Sequence, residues 1–453
     1  MAYAVRAAEP AILGRLSGDS LKLIALTSRR RAQFDAPAIA FALISERSAF
    51  DALEPEWNDL FRRAGRDTQL FQTFNWNWHW ANHYLSPAAG ERGRRSLAVV
   101  TVRRHGRLAM VWPLVAERIA GMKVLRWMGE PVSQYGDVLA ETTVDRPELL
   151  RLVWNFISRM LGADAIFLRK VRADAVVAPL LREQGLIATT VAQSPCLDLA
   201  SAANFAAYEE THYSAKARKN RRRHMRRLTE RGSVEIVRHR GGPEARVAAM
   251  EAVALKSKWI KATNRVSPAL ADERLAAFFG DVAEGRGRPA GCQVSMLKSN
   301  GETIAIAIDI DCGARRAAHI IVHDPRLDGF GPGMLLLQER LRVAPGEGVA
   351  TFDLLAPAYA YKLDWADASV AVGDYALGLS LSGRVFARVY LGYLRERIKA
   401  VAEARPHGVE QLRYFSGQVG NAWQQTARAA TGTFSPWRLN GGSASSIVSS
   451  EAR

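Results

Sequence analysis

Two stretches of the chain carry the same order of predicted elements, and this order limits the folds that the sequence can adopt. Within 37–199 and again within 204–380, the apolar patterns indicate a strand, two helices, an antiparallel meander, a helix, a strand, a helix and a closing strand. His105-Gly106 and Asn300-Gly301 mark tight turns in the two meanders. A meander followed by a strand–helix–strand crossover predicts a mixed sheet with helices on its faces. We therefore expect an α/β (α+β) fold with mixed sheets, built as two domains in tandem.

The composition predicts where these domains begin and end. The first residues are weakly patterned and basic, which is typical of a flexible arm. The end of the chain is rich in glycine and serine, which is typical of a disordered tail, and an amphipathic helical pattern precedes it. The expected division is a flexible arm at 1–35, domains at 36–200 and 201–382, a helical extension at 383–430 and a disordered tail at 431–453.

The charge and the cysteine content narrow the class of protein. The formal net charge is +17, which excludes an acidic protein and favours an anionic partner. Cys196, Cys292 and Cys312 form no CxxC pair, so a zinc ribbon is excluded and a reducing compartment is favoured. No apolar run is long enough to span a bilayer. We expect a cytoplasmic protein without a metal or an integral membrane span, and peripheral contact with the inner face of the membrane stays open.

One short segment concentrates the positive charge. Residues 216–231 include nine lysines and arginines and one acidic residue, Glu230. This charge fits a solvated helical face, a site for the phosphates of tRNA, or contact with an anionic polymer or a membrane surface. There is little aromatic interleaving, so stacking on single-stranded bases is not indicated. Lys216 and Arg222 are the candidate contacts with such a partner.

A glycine-rich turn between a predicted strand and a predicted helix is the strongest local motif. Glycines let the backbone approach a phosphate closely, and the N-terminus of the following helix carries a partial positive charge. The alternative is an ordinary glycine-rich turn in which the arginine is solvated. The candidate ligand-binding residues are Arg326, Gly329, Phe330, Gly331 and Gly333.

Further polar residues near the predicted strand ends are candidates for acid–base chemistry. His323 ends the strand before the glycine-rich turn and titrates near neutral pH, although a surface histidine is the alternative. Asp353 lies between apolar neighbours, where a carboxylate is costly unless it is paired. We expect Asp353 to pair with Lys362, or Lys362 to contact an anionic group of the substrate. Tyr361 precedes Lys362 and is the fourth candidate of this group.

In the first half of the chain, Tyr135 and Asp137 are placed on a predicted strand. Tyr135 is a candidate substrate contact, and Asp137 is a candidate for orienting or deprotonating an acceptor amine. The alternative is that Asp137 caps a turn after Gly136. The tryptophans Trp76, Trp78 and Trp80 fall on a predicted helix, which favours core or interface packing for most of them over the stacking of a sugar.

Five strings resemble a known family in its order. They are FQTFNWNWHWANHY, WMGEPVSQYGDVL, AKARKNRRRHMRRL, HDPRLDGFGPGMLLL and FDLLAPAYAYKLDWA. Together with the element order they resemble tandem GNAT acyltransferases of the FemABX-like branch, and in particular the CelD/BcsL group named for cellulose biosynthesis. The resemblance implies that Tyr135, Asp137, Asp353, Tyr361 and Lys362 match family positions and that the glycine-rich turn binds an acyl-CoA. Within the last string, the stretch before Tyr361 and Lys362 departs from the family pattern: it carries Ala356, Pro357, Ala358 and Ala360 where glycine and an acid are usual, which leaves the substrate class open.

Three functions are consistent with these features. The first is an acyl-CoA-dependent acyltransferase that acts on a polysaccharide or envelope precursor, with acetyl-CoA or another acyl-CoA as co-substrate. The second is a tRNA-dependent aminoacyltransferase of the FemABX type. The third is a non-catalytic accessory protein of exopolysaccharide (cellulose) synthesis. The glycine-rich turn favours the first function, because the other two need no site for a coenzyme pyrophosphate.

Overall fold

The computed structural model describes most of the chain between Lys22 and Arg405. The described residues are 22–25, 39–85, 95–119, 121–267, 269–285 and 290–405. The expected tail at 431–453 and most of the expected arm at 1–35 lie outside them, as does the second part of the helical extension. The division into domains therefore stays a prediction.

Helices and strands alternate along the described chain in the order that the apolar patterns predict. The strands are β1 (Lys22–Ala25), β2 (Ile39–Ile44), β3 (Arg95–Leu97), β4 (Val99–Arg104), β5 (Arg107–Trp112), β6 (Leu114–Ile119), β7 (Met122–Trp127), β8 (Leu139–Ala140), β9 (Ala165–Arg172), β10 (Ile187–Asp198), β11 (Val234–His239), β12 (Ala290–Ser299), β13 (Glu302–Cys312), β14 (Arg315–His323), β15 (Thr351–Asp353) and β16 (Ala368–Gly378). The α-helices are α1 (Arg47–Asp51), α2 (Glu54–Ala64), α3 (Phe74–Tyr84), α4 (Arg146–Met160), α5 (Ala178–Glu183), α6 (Phe205–His212), α7 (Ala215–Thr229), α8 (Pro243–Ala262), α9 (Arg274–Glu284), α10 (Pro332–Val343), α11 (Ala360–Leu363), α12 (Leu381–Val385) and α13 (Arg395–Ala404). A π-helical segment, Phe386–Leu394, joins α12 to α13.

The strands form two sheets, an antiparallel one and a larger mixed one, and together with the helices they confirm the predicted α/β fold. One sheet has five strands in the order β1-β2-β4-β5-β8, and the other has eleven in the order β11-β12-β13-β14-β15-β10-β16-β9-β7-β6-β3. In the larger sheet β14 pairs with β15, and β7 with β9, in parallel, and its other pairs are antiparallel. Because β10 lies between β15 and β16, and β16 pairs with β9, one sheet runs through both halves of the chain.

The two turns predicted inside the meanders are confirmed. His105 and Gly106 join β4 to β5 with φ of 49° and 76°, and Asn300 and Gly301 join β12 to β13 with φ of 50° and 81°. Positive φ at both central residues gives a turn whose twist matches that of the flanking strands, and asparagine and glycine tolerate this conformation best.

The aromatic segment near residue 75 is a helix that packs into the core, as expected. In α3 the indole rings of Trp76 and Trp80 are almost fully buried. Trp76 packs edge-on against Phe278 of α9 with ring centroids 5.1 Å apart. Thr73, whose hydroxyl accepts a hydrogen bond from the Trp76 N–H, is the N-cap. The core thus joins a helix from the first half of the chain to a helix from the second.

A notch opens in the larger sheet beyond the end of β15. β14 and β15 pair only from Arg315 opposite Thr351 to Ala317 opposite Asp353. β15 ends there, whereas β14 continues to His323 and β10 extends away from its Cys196–Asp353 pairing toward Thr190. The register between β13 and β14 also shifts at His319, which is typical of a β-bulge that bends the strand. The ends of β14 and β10 are therefore separated by a strand position that β15 does not fill.

Candidate functional site

The notch is the centre of a large open cleft of about 1800 Å³. One wall carries the end of β14 together with Gly331 and Gly333 at the start of α10. The opposite wall carries Lys170 of β9, Thr190 of β10 and Asp374 of β16. Because the two walls come from different parts of the chain, only the tertiary structure assembles the cleft.

Two of the five predicted ligand-binding residues of the glycine-rich turn line this cleft. Gly331 has φ of +59° and is the N-cap of α10, so the backbone there adopts a conformation that favours glycine. A Cβ at Gly333 would come within 2.9 Å of His323 Nδ1. The free N–H groups of the first turn of α10 begin beside this gap, which suits a phosphate group.

The other three predicted residues of the turn are placed elsewhere. Arg326 is 82% exposed and forms an ion pair with Asp324 at 2.6 Å, as in the solvated alternative. The Gly329 carbonyl accepts a hydrogen bond from Arg227 Nη1 at 3.3 Å. The Phe330 ring lies 4.9 Å from the Arg227 guanidinium. Gly329 and Phe330 therefore attach the turn to α7, and the expected direct contacts of these three residues with the ligand are not supported by their positions.

His323 lies on the cleft wall at the end of β14, as predicted. Its Nε2 lies 2.7 Å from Asp328 Oδ1, and the imidazole is 35% exposed. A carboxylate at this distance favours one orientation of the ring. His323 remains available to exchange a proton with a group in the cleft, and its catalytic role stays a prediction.

Two lysines bind the backbone on the two sides of the notch. Lys256 of α8 donates a hydrogen bond from Nζ to the Ile321 carbonyl of β14 at 3.0 Å, and Lys362 of α11 donates to the Leu355 carbonyl just beyond β15 at 2.7 Å. Burial lowers the pKa of Lys256 to about 8 and that of Lys362 to about 8. Lys256 lines the cleft, and no motif in the sequence pointed to it.

The expected ion pair between Asp353 and Lys362 is wrong. The Asp353 carboxylate is fully buried and forms ion pairs with Arg315 Nη1 at 3.1 Å and with Arg172 Nη1 at 3.3 Å. The two arginines come from β14 and β9, and they supply the paired environment that a buried carboxylate requires. Lys362 is itself buried and uses its hydrogen bond on a backbone carbonyl instead.

Tyr135 joins the two halves of the chain at the same carboxylate. Its hydroxyl lies 2.8 Å from both Asp353 oxygens and 2.7 Å from Ser194 Oγ. Burial and the neighbouring carboxylate raise the pKa of Tyr135 well above its usual value, so the phenol stays protonated and donates. The sequence placed Tyr135 and Asp353 in separate candidate sites. The structure brings them together in a buried network beneath the cleft, where neither lines the cleft wall.

Asp137 does not lie on a strand, and its carboxylate is hydrogen-bonded within the protein. The segment between β7 and β8 that contains it is irregular. Its buried carboxylate accepts hydrogen bonds from the backbone N–H groups of Val138, Val176 and Val177 and from Gln69 Nε2. All of these hydrogen-bond donors belong to the protein itself, and the expected contact with an acceptor amine is not supported by the position of Asp137.

The basic segment forms α7. One side of this helix is buried or lines the cleft, and the other side is exposed. Arg221 is buried, with its guanidinium 4.0 Å from the Trp365 ring and an ion pair to Glu209 at 3.0 Å. Asn220 and His224 lie on the same side of the helix and line the cleft. The expected contacts Lys216 and Arg222 are exposed and lie outside the cleft. These two residues therefore face any partner at the protein surface and not a ligand in the cleft.

Tyr361 lies at the mouth of the cleft. Its ring stacks with that of Tyr359, with centroids 6.3 Å apart, and it is 45% exposed. Both rings line the cleft, so they form an aromatic edge beside the notch. A direct role of Tyr361 in catalysis stays a prediction. Within the described part of the chain, no group of histidine, cysteine and acidic residues is arranged to hold a metal ion, and no helix is long and apolar enough to cross a membrane.

Residues 215–363, which contain α7, the glycine-rich turn and the β14 side of the notch, match the family described as Acetyltransferase (GNAT) domain. The match covers this segment of the chain, and it supports an acyltransferase.

Several solved structures are similar to the chain. FemX has a TM-score of 0.49 at 10% identity, over 74% of this chain and 98% of that one. A tandem GNAT protein from the clavulanic acid biosynthesis pathway has a TM-score of 0.43 at 13% identity, over 76% and 99%. A conserved protein of unknown function from Bacteroides thetaiotaomicron has a TM-score of 0.45 at 12% identity, over 72% and 97%. No curated protein sequence matches the chain significantly.

Proposed function

We propose that the protein is an acyl-CoA-dependent N-acyltransferase that binds its acyl donor in the notch. The observation that supports this most strongly is the continuity of the notch with the start of α10. The unpaired end of β14 leads directly to Gly331 and Gly333, so a long donor with a pyrophosphate can lie along the strand with its phosphates at the helix N-terminus.

The residues at the notch fit such a donor. The gap beside Gly333 would be filled by any side chain, because a Cβ there meets His323. Asn220 and His224 of α7 lie across from the turn and offer polar groups to the same region. The donor would supply an activated acyl group as a thioester, and its pyrophosphate would be held by backbone N–H groups.

The transfer requires the removal of a proton from the acceptor amine. The amine nitrogen forms a bond to the acyl carbon, the carbon–sulfur bond breaks, and the thiolate takes a proton. Lys256 and His323 both line the cleft, and each carries a nitrogen that can accept the proton of the amine. Lys256 suits this role because burial lowers its pKa to about 8, so that part of the amine, which lies on the Ile321 carbonyl, is deprotonated at neutral pH.

We expect the replacement Lys256→Met to lower kcat/KM by about a hundredfold. A base acts in its deprotonated form, so the kcat/KM of the unaltered enzyme should rise with pH up to about 8, the pKa of Lys256, and then level off. The variant should lose this rising limb. Lys258→Met is the matched control, because Lys258 is an exposed lysine on the same helix. A Lys256→Met profile that keeps its rise near pH 8 would assign the base to another residue.

The identity of the acceptor is proposed from the sequence resemblance and not from the geometry of the cleft. The resemblance of the five strings to the CelD/BcsL group favours a polysaccharide or envelope precursor as the acceptor, handled in the cytoplasm at the inner face of the membrane. The exposed cations of α7 support such a location, since they suit an anionic surface. The departure at Ala356, Pro357, Ala358 and Ala360, of which all but Ala358 line the cleft, leaves the acceptor to be identified by assay.

A tRNA-dependent aminoacyltransferase is the second candidate, and it has one observation in its favour. Lys216, Arg218, Lys219, Arg222 and Arg223 form no ion pair with any described residue. Unpaired cations along one helix are typical of a surface that binds phosphates.

We expect the joint replacement of Arg218, Arg222, Arg223 and Arg226 by glutamine to leave the melting temperature within a few degrees of the parent value, because Arg222, Arg223 and Arg226 are exposed and Arg218 is only half-buried. If tRNA binds here, the slope of log affinity against log salt should become shallower by about 3 units. Filter binding of tRNA across salt concentrations measures this. Loss of cooperative unfolding in the variant would show instead that the exposed face is structural.

Isothermal titration with acetyl-CoA and, separately, with tRNA tests the proposal. We expect acetyl-CoA to bind and tRNA to bind weakly or not at all. Binding of tRNA alone would favour the aminoacyltransferase. Binding of neither would favour the non-catalytic accessory protein.

A further inference from the structure

Three segments of the chain bring three cationic residues and one carboxylate together on the cleft wall opposite the glycine-rich turn. Arg169 and Lys170 come from β9, Asp374 from β16 and Arg395 from the start of α13, and all four residues line the cleft. The Asp374 carboxylate accepts hydrogen bonds from the Lys170 backbone N–H at 2.8 Å and from Arg169 Nε at 3.0 Å. Arg395 Nη1 lies 3.5 Å from the same carboxylate. The Asp374 carboxylate thus contacts two guanidinium groups, and it binds Lys170 through the backbone and not through its amine.

The remaining carboxylates nearby do not balance this charge. Glu130 lies 3.6 Å from Arg169 Nη1 but already forms a closer ion pair with Arg126. Glu396 also lines the cleft and forms an ion pair with Arg395 Nη1 at 3.6 Å, so Asp374 and Glu396 stand against Arg169, Lys170 and Arg395. Among the described residues, Arg395 Nη1 has no hydrogen-bond partner. The wall therefore carries more positive than negative charge.

Lys170 is held at this wall in a constrained conformation. Its φ is +56°, which lysine adopts rarely. Its Nζ donates to Gln134 Oε1 at 2.7 Å and to the Ser133 carbonyl at 3.1 Å, which leaves the third N–H of the protonated amine without a described partner. Such strain persists where the surrounding structure enforces it, and functional sites are where it concentrates.

The electrostatics of the wall agree with an excess of positive charge. Burial, followed by the nearby Arg169, lowers the pKa of Lys170 to about 7 against the opposite effects of Asp374 and Glu130. Burial and Arg169 also lower the pKa of Arg395. An anion bound at this wall would offset both effects.

The wall lies level with the glycine-rich turn, on the other side of the notch. Starting from the Asp353 position, β14 runs six residues to His323 and β10 runs six residues in the same direction to Thr190, which pairs with Asp374. At the usual rise of a strand both ends lie about 20 Å beyond Asp353. A donor with its pyrophosphate at α10 and an acceptor held at the opposite wall would meet between them, beside Lys256.

We propose that Arg169, Lys170 and Arg395 form an anion subsite that binds a phosphate or carboxylate group of the acceptor. The identity of the ligand as an acceptor rests on the proposed acyl transfer, whereas the subsite itself does not. The acceptor would then carry an amine that reaches the notch and an anionic group that anchors its far end.

Titration calorimetry with inorganic phosphate and with acetate tests the subsite. The protein is first saturated with acetyl-CoA, so that the helix N-terminus at Gly331 does not compete for the anion. We expect Lys170→Met and Arg395→Gln each to weaken anion binding by about tenfold. Arg388→Gln, at an exposed arginine of the neighbouring π-helical segment, should bind as the parent does. A preference for phosphate would assign a phosphorylated acceptor, and a preference for acetate a carboxylate.

The pH dependence of acetate binding gives a second readout, because acetate itself does not titrate between pH 6 and 8. Protonated Lys170 attracts the anion, so the affinity should rise as the pH falls through about 7, and Lys170→Met should abolish this rise. No binding of either anion to the parent protein, or equal affinity in the parent and both variants, would overturn the subsite. Failure of acetyl-CoA to bind would instead contradict the proposed function, and the comparison of the parent with the variants would still decide on the subsite.

Discussion

The replacement Asp353→Asn is expected to lower the free energy of unfolding by about 3–5 kcal/mol. The carboxylate is fully buried and is the charge that Arg172 and Arg315 share. An asparagine keeps the shape but leaves two buried guanidinium groups short of a counter-charge and weakens the bond from Tyr135. Urea denaturation followed by circular dichroism measures the change.

Asp174→Asn is the matched control for this prediction. Asp174 also forms an ion pair with Arg172, at 2.9 Å, but its carboxylate is 53% exposed. An exposed pair is worth at most about 1 kcal/mol, so the control should change the stability little. If both variants unfold at the same urea concentration as the parent, Asp353 does not hold the two halves of the chain together. The argument that its network is structural would then fail.

The replacement Gly331→Asp is expected to abolish measurable acetyl-CoA binding, with an affinity loss of about a hundredfold or more. It places a negative charge where the pyrophosphate should lie and adds a side chain at a position with φ of +59°. Isothermal titration measures the loss directly.

Gly348→Asp separates the effect of the charge from that of the backbone strain. Gly348 has φ of +78° and lies outside the cleft, and a Cβ added there would meet no atom within 4 Å. This control should lose a similar amount of stability and keep its affinity for acetyl-CoA. Equal acetyl-CoA affinity in the two variants would show that the donor does not bind at the start of α10.

The local part of the fold could be predicted from the sequence because neighbouring residues determine it. The turn at Asn300-Gly301 follows from two residues that tolerate positive φ, and the helix Phe74–Tyr84 follows from apolar side chains at helical spacing. The start of a helix after Pro332 follows in the same way. None of these features requires knowledge of a distant partner.

The sequence predicted residues of the cleft only where they lie close together along the chain. Gly331, Gly333 and His323 lie within one strand–turn–helix unit, and all three line the cleft. Arg326 is in the same unit, but its side chain is exposed to solvent and forms an ion pair with Asp324 outside the cleft. The side-chain direction of an exposed arginine is decided by such neighbours and not by the motif.

The sequence alone determined the order of the elements, the turns and the type of residue available for each role, because these depend on propensities and periodicities within a few residues. The tertiary structure decided which of those residues meet. Tyr135 and Asp353 are 218 positions apart and were assigned to separate sites, yet they form one hydrogen bond since β10 enters the sheet between β15 and β16. The pairing of β9 with β16 likewise brings Lys170 to Asp374, on the wall opposite Gly331, and Arg395 reaches the same carboxylate from α13. Contacts of this kind depend on strand order and register across the whole chain, which no local pattern encodes.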